Sequence, residues 1–284
     1  VNVWQSLFQP PADLAHTADA WFVKIARTLL LETTLLVGNQ PHRFAEIEFY
    51  YHGTGHLDVF THRDALQREC GRWYFHKVGG VYKAGSFKGM DLTFGDGTAH
   101  AGILIRSIVK PDGSVLDGPS LCVDYLLDAN AADKPATLDK VIAQRPAWEL
   151  GNPLQIVPAV APLDRPVVRS ARIGLTLKKL KQSAAPPQFV VRPYRFLSEP
   201  RLIAKGRQHV ILQALLTGQS VAEIAALTGS SASTIQRYAT DLQAGQTAAD
   251  LAPFWGIDLS PKDLSALHGV IATLAERGSL GTLP

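Results

Sequence analysis

Across Phe44–Tyr51, Ala45, Ile47, Phe49 and Tyr51 fall on one side of an extended chain, and Phe44, Glu46, Glu48 and Tyr50 on the other. A period of two marks a β-strand with one face in a core. Such a strand needs partners, because its backbone polar groups must be satisfied. Further strands are expected at Arg72–Val78, Asp91–Phe94 and Gly102–Ile108, the last two joined through Gly95-Asp96-Gly97, a hairpin signal. Short extended segments are also expected at Arg172–Leu177 and Gln188–Arg192. A helix is predicted over Ala18–Leu36, with Trp21, Ile25, Leu29 and Leu36 on its apolar stripe, and shorter helices over Ser120–Leu127 and Ala136–Ala143. Residues 1–200 therefore read as an α+β domain: a curved, mainly antiparallel sheet with flanking helices.

After Pro200 the pattern is helical only, so residues 201–284 read as a small all-α region. Lys205–Leu216, Val221–Thr228 and Ala232–Ala244 are successive helical patterns, and the last two flank a turn at Gly229. That spacing is like a helix-turn-helix, with Ser230, Ser231, Ser233, Gln236 and Arg237 at the start of the second helix; a plain three-helix packing unit has the same pattern. A final helix is expected from Ser260-Pro261, with Ser260 as N-cap and Asp263 in the first turn.

Net charge is only +3, but between Arg165 and Arg207 eleven Lys and Arg residues stand against the single acid Glu199, a local charge of +10. Such a stretch is either solvated surface or a face that meets a polyanion; the interleaved Phe189, Tyr194 and Phe196 favour folded structure. The two cysteines, Cys70 and Cys122, are too few for a disulfide framework and fit an intracellular protein with buried thiols. No run is long and apolar enough to span a membrane.

Two carboxylates, Glu46 and Glu48, share the polar strand face with Tyr50. They are either solvated acids or a general base that activates water. Arg106 interrupts the run Ile103-Leu104-Ile105, so its guanidinium is expected inside, with Glu48 as its anionic partner. His52, His56, Asp58 and His62 follow the strand and have metal-ligand chemistry, although their spacing fits no zinc motif.

Taken together, these elements resemble the alkyladenine (3-methyladenine) DNA glycosylases. The strand Glu46-Ile47-Glu48-Phe49-Tyr50 is similar to that family's Glu-x-Glu-x-Tyr strand, and Thr61-His62 supplies its following histidine. Ala26-Arg27-Thr28-Leu29-Leu30, Gly71-Arg72-Trp73-Tyr74-Phe75-His76 and Ile103-Leu104-Ile105-Arg106 match further elements in order. So do Asp117-Gly118-Pro119-Ser120-Leu121-Cys122, Pro166-Val167-Val168-Arg169-Ser170-Ala171-Arg172 and Arg192-Pro193-Tyr194-Arg195-Phe196; the resemblance covers roughly residues 12–200. The chain departs from the family in several places: Gly79 occupies the position of an intercalating aromatic, His76 that of a tyrosine and Asp91 that of a pocket asparagine, the insert Lys83-Ala84-Gly85-Ser86-Phe87-Lys88-Gly89 has no counterpart, the histidine loop is longer, and the Gly-Pro-Ser element lacks one residue.

The resemblance implies a monofunctional enzyme that extrudes a modified base from duplex DNA, hydrolyses its N-glycosidic bond and leaves an abasic site. It implies Glu48 as general base, Arg106 as its partner, and a base pocket of Tyr50, His62, His76 and Asp91. DNA contacts are expected from Val81 or Tyr82, or another loop, as wedge, and from Arg169, Arg172, Lys178, Lys179, Arg195 and Arg237. No cofactor or metal is expected, and the chain is expected to act as a monomer on DNA. The alternative is a helix-turn-helix regulator carrying a non-catalytic glycosylase-like domain.

Overall fold

The alternating strand is longer than its sequence signature, running Gln40–Gly53. The structure, a computed structural model, describes residues 3–180 and 187–279. The chain divides into two compact units, Val1–Val167 with Phe196–Glu199, and Val168–Arg195 with Pro200–Pro284. The path is thus not a single cut near residue 200. Residues 168–195 belong with the helices, and Phe196–Glu199 return to the first unit, where Ser198 N–H donates to the Ala45 carbonyl at 3.0 Å.

The first unit is α+β. Its helices are α1 (Val3–Phe8), α2 (Leu14–Leu31), α3 (Pro119–Ala129) and α4 (Pro135–Ile142). Its strands are β1 (Thr33–Val37), β2 (Gln40–Gly53), β3 (His56–Leu57), β4 (Cys70–Phe75), β5 (Lys77–Val78), β6 (Val81–Tyr82), β7 (Met90–Phe94), β8 (His100–Val109), β9 (Val115–Asp117) and β10 (Leu154–Pro158). An open sheet runs β10-β1-β2-β8-β7-β4, each neighbouring pair antiparallel.

The helix expected over Ala18–Leu36 stops at Leu31, and Thr33–Val37 is a strand instead. The Thr33 hydroxyl donates to the Thr28 carbonyl at 2.8 Å, which closes the helix. Two β-branched threonines follow, and Leu35 and Val37 are buried between β10 and β2. An apolar run of this length suits either period, and pairing on both edges decides for the strand.

One face of the sheet packs on α2. Phe22 stacks on Phe49 at 4.9 Å between ring centroids, Trp21 meets Phe94 at 5.4 Å, and Ile25 and Leu29 are fully buried. The opposite face is set by register: Glu48 lies across from Leu104, Leu104 from Asp91, and Asp91 from Tyr74. Directly opposed residues share a face. Glu48, Asp91 and Tyr74 therefore project together, away from α2, from a row that crosses four strands.

In the second unit are β11 (Val168–Ser170), the start of β12 (Arg195–Leu197), and helices α5 (Arg207–Leu216), α6 (Val221–Thr228), α7 (Ala232–Ala248) and α8 (Pro261–Glu276). The extended segments expected at Arg172–Leu177 and Gln188–Arg192 are instead turns and the 3-10 turns Leu177–Leu180 and Pro187–Val190. Local bonds replace a ladder there: Arg192 N–H donates to the Gln188 carbonyl at 2.8 Å, and the buried Arg172 guanidinium to the Phe189 carbonyl at 3.0 Å. Ser220 and Ser260 each form a capping box, with Glu223 and Asp263, so α6 and α8 begin where capping chemistry places them.

The α7–α8 pair is close at two glycines. A methyl group at Gly269 would lie 2.1 Å from the Leu242 carbonyl oxygen, and one at Gly245 2.0 Å from that of Ala266. Gly269→Val should lower stability in urea unfolding by about 1–3 kcal/mol, the usual cost of overpacking, against a small gain in helix propensity.

On the same helix, His268 is 1% exposed, neither ring nitrogen has a hydrogen-bond partner, and burial lowers its pKa to about 4. An unfolded histidine titrates near 6.5. Above that pH the ring is neutral in both states and costs nothing. Below it the unfolded chain binds a proton that the folded chain refuses, so stability falls progressively from about pH 6.5 to pH 4, by about 3 kcal/mol in all. His268→Phe should flatten that part of the stability profile; an unchanged acid slope would assign it to other groups.

Candidate functional site

The two glutamates of β2 both meet Arg106 of β8. Arg106 Nε lies 3.0 Å from Glu46 Oε1 and 3.4 Å from Glu48 Oε1. Both carboxylates are fully buried, and the Arg106 side chain is 9% exposed. The Tyr50 hydroxyl donates to Glu48 Oε2 at 2.8 Å, and the Ser107 hydroxyl to Glu46 Oε2 at 2.6 Å. Burial works against the guanidinium charge, but the Glu48 and Glu46 carboxylates outweigh it and raise the Arg106 pKa above the ordinary arginine value.

The register between β2 and β8 shifts on either side of Glu46, which re-aims that side chain toward Arg106 and Ser107. Glu46 is thus the closer partner, although the sequence pointed to Glu48. Behind the cluster, the Arg106 carbonyl accepts from Gly118 N–H at 2.9 Å and from Cys122 Sγ at 3.4 Å. The Gly118-Pro119 start of α3 therefore fixes the backbone that carries the guanidinium. Cys122 is buried, and Cys70 is half-buried.

Two strands across the same face, His76 Nε2 lies 2.7 Å from Asp91 Oδ1, and Gln67 Nε2 donates to Asp91 Oδ2 at 3.0 Å. The ring of His62, an exposed residue, stands edge-on to His76 at 4.2 Å between centroids. Tyr74, not among the expected pocket residues, is buried beside both rings; burial pushes its phenol well above the usual tyrosine range. Sequence reasoning also missed Gln67, for which no local signal exists.

His56 and Asp58, which follow β2, serve the turn. His56 Nδ1 lies 2.9 Å from the Tyr51 carbonyl oxygen, and Asp58 Oδ1 accepts from Phe60 N–H at 3.0 Å. Among the described residues no three His, Cys, Asp or Glu side chains are grouped to hold a metal ion.

β5 and β6 form a small hairpin of their own. Gly79 and Gly80 both have positive φ, as its two-residue turn requires. Val78 and Val81 at the tip are 67% and 71% exposed. Tyr82 is tied down: its hydroxyl donates to Asp139 at 2.5 Å and Lys77 Nζ sits 4.4 Å from its ring centre. Of the two expected wedge residues, only Val81 is free to project.

Two arginines of the basic stretch are internal, which corrects part of the expected phosphate face. Arg172 and Arg195 are fully buried. Arg195 donates to the Gly206 and Lys205 carbonyls at 3.0 and 2.9 Å and to Ser170 Oγ at 3.1 Å. Irregular backbone leaves carbonyls without ladder partners, and these guanidiniums satisfy them. Arg169 is half-buried; Lys178 is exposed and paired with Asp258 at 2.5 Å. The Lys179 side chain and all of Lys181 lie outside the described residues. On α6 and α7, Ser231, Ser233, Gln236 and Arg237 are exposed, but Arg237 is the one cation of residues 221–248 against Glu223 and Asp241. That balance does not favour a polyanion. Among the described residues no helix is long and apolar enough to cross a membrane.

No protein-family model matches the chain. It is 33% identical over 131 residues to an uncharacterized protein of Acanthamoeba polyphaga mimivirus, a match that covers 41% of this chain and 61% of the viral protein. The chain thus spans less than two thirds of that relative's length.

Proposed function

We propose that the first unit is a monofunctional DNA glycosylase, similar to the alkyladenine DNA glycosylases, that flips a modified base from duplex DNA and hydrolyses its N-glycosidic bond. The observation that carries this reading is Glu48, held between the Arg106 guanidinium and the Tyr50 hydroxyl on the sheet face turned away from α2. A carboxylate so placed takes a proton from water attacking the anomeric carbon and stabilises the positive charge that develops on the sugar. Arg106 keeps the carboxylate oriented and balances its charge. Glu48 has no exposed surface, so the half-buried Tyr50 must swing aside to admit water as the nucleotide enters.

Two further features support the reading. The valine-tipped hairpin offers an apolar wedge of the kind that fills the gap left by an extruded base. Of Lys83 and Lys88, the two amines near the pocket in sequence, Lys88 is paired with Asp124 at 2.6 Å, which supports water as the nucleophile against that amine.

The test is incubation with duplex oligonucleotides, each carrying one modified base. The expected product is a strand that breaks only after alkali, with no protein–DNA adduct trapped by borohydride. Absence of excision across the panel would sink the reading, and a trapped adduct would replace water by an amine.

A further inference from the structure

We propose that two adjoining cavities at the β1–β2 end of the sheet form one binding site for a small acidic amphiphile, a molecule with an aliphatic arm and a carboxylate or phosphate head. The site lies away from Glu48 and does not rest on the glycosylase reading.

One row of side chains floors both cavities. Val157 of β10 lies across from Thr34 of β1, and Arg43 of β2 from Val109 of β8. Thr34 and Arg43 are the next positions beyond the Leu35–His42 pair that joins β1 to β2. Opposed residues share a face, so the row runs from Val157 to Val109 over about 14 Å at ordinary strand spacing. Each cavity has a volume of about 320 Å³, the size of a small-molecule site, and the two share Thr34, Pro41 and Arg43. Along β2, Arg43 is separated from Glu48 by roughly 16 Å at the usual rise per residue.

The two ends differ in chemistry. At the β10 end the walls are aliphatic: Leu31, Leu36, Val157, Val160 and Leu163. At the β8 end Arg43 and Lys110 bring two cations, and the turn residues Pro111 and Gly113 complete the wall. His42 adds no charge there. Burial lowers its pKa, its Nδ1 lies 2.9 Å from the Gln40 carbonyl oxygen, and its Nε2 lies 2.7 Å from the Tyr125 hydroxyl.

The nearby acids do not cancel these cations. Glu199 is shared by two arginines: Arg165 is in direct contact, and Arg43 Nη1 stands at 3.6 Å, beyond hydrogen-bond reach. That nitrogen is buried and has no hydrogen-bond acceptor. Asp112 pairs with Lys110 at 3.4 Å but is 64% exposed, where water weakens the attraction. Arg43, Lys110 and Arg165 thus face only Glu199 and Asp112, and positive charge is left over beside an aliphatic trough. A bare anion would answer the charge and leave the trough to water. A neutral apolar molecule would fill the trough and leave the charge unanswered. A DNA backbone is charged along its whole length and has no arm to lay there. A molecule with both parts satisfies both ends.

The experiment is calorimetric titration of the whole chain with octyl phosphate, octanoate, octanol and inorganic phosphate, the amphiphiles below micelle-forming concentration. Octyl phosphate or octanoate should bind at a single site, about tenfold or more tightly than octanol or inorganic phosphate. Arg43→Gln and Lys110→Gln should each weaken that octyl anion by about tenfold, the lower end for a contact to a charged group, and leave octanol within a few-fold. Leu36→Asp should weaken the octyl anion and octanol alike. Thermal unfolding near that of wild type reports an intact fold, and the half-buried Lys110 keeps the test open should Arg43→Gln unfold. The assignment is overturned if neither octyl anion binds, or if octanol or inorganic phosphate binds as tightly as the octyl anions. It is equally overturned by an octyl anion that binds the folded Arg43→Gln or Lys110→Gln protein as tightly as wild type.

Discussion

Replacing Arg106 by leucine should destabilise the first unit by about 3–5 kcal/mol, the range for breaking a buried ion pair from one side. The size follows from what is left behind. Glu46 and Glu48 have no exposed surface, and the Ser107 and Tyr50 hydroxyls that also donate to them are neutral. Two adjacent buried carboxylates would then lose the cation they share. Arg106→Lys should recover only part of the loss, because an ammonium is a point charge and cannot span both acids as the planar guanidinium does. The triple variant with Glu46→Gln, Glu48→Gln and Arg106→Leu should be more stable than Arg106→Leu alone, since it removes the orphaned charges with their partner. Urea unfolding of the four proteins reads all of this. An Arg106→Leu protein within about 1 kcal/mol of wild type, the value typical of an exposed pair, would mean that water reaches the acids freely.

How much of this was legible in the sequence depended on distance along the chain. Period-two alternation through Glu48 and an arginine breaking an apolar strand were local signals, and they led to a pair of side chains that do meet. The preference of Arg106 for Glu46 was not local, because it comes from a register shift that no alternation pattern records. His76 and Asp91 each stood out as departures from a resembled family, yet their contact depends on the pairing of Tyr74 with Asp91 between β4 and β7. The helix–strand confusion at Thr33–Val37 has a related cause: the five residues pair with β10, which lies more than a hundred residues away. Charge counting overlooked a second use of arginine. Eleven cations in one stretch look like a surface for phosphate, but a guanidinium can also serve backbone carbonyls that irregular structure leaves unpaired, and Arg172 and Arg195 do so.

On the proposed glycosylase reading, Glu48→Gln should reduce single-turnover excision by about 10²–10⁴-fold, the range for losing a general base, with duplex binding within a few-fold of wild type. The amide preserves the shape of the side chain, and its oxygen can still accept from Tyr50 or lie near Arg106. What it cannot do is take a proton from water or hold negative charge beside a developing oxocarbenium ion. Glu46→Gln is the informative control. Glu46 is as deeply buried and sits closer to Arg106, so a purely structural role for the cluster would make the two substitutions equivalent. General-base catalysis by Glu48 makes them unequal. Glu46→Gln should lose some stability and keep most of its turnover, whereas Glu48→Gln should lose turnover with the fold intact. Were both variants to keep their activity, Glu48 would be only a counter-ion for Arg106. Were Glu46→Gln the inactive one, the base would sit one position over, on the carboxylate that also accepts from Ser107.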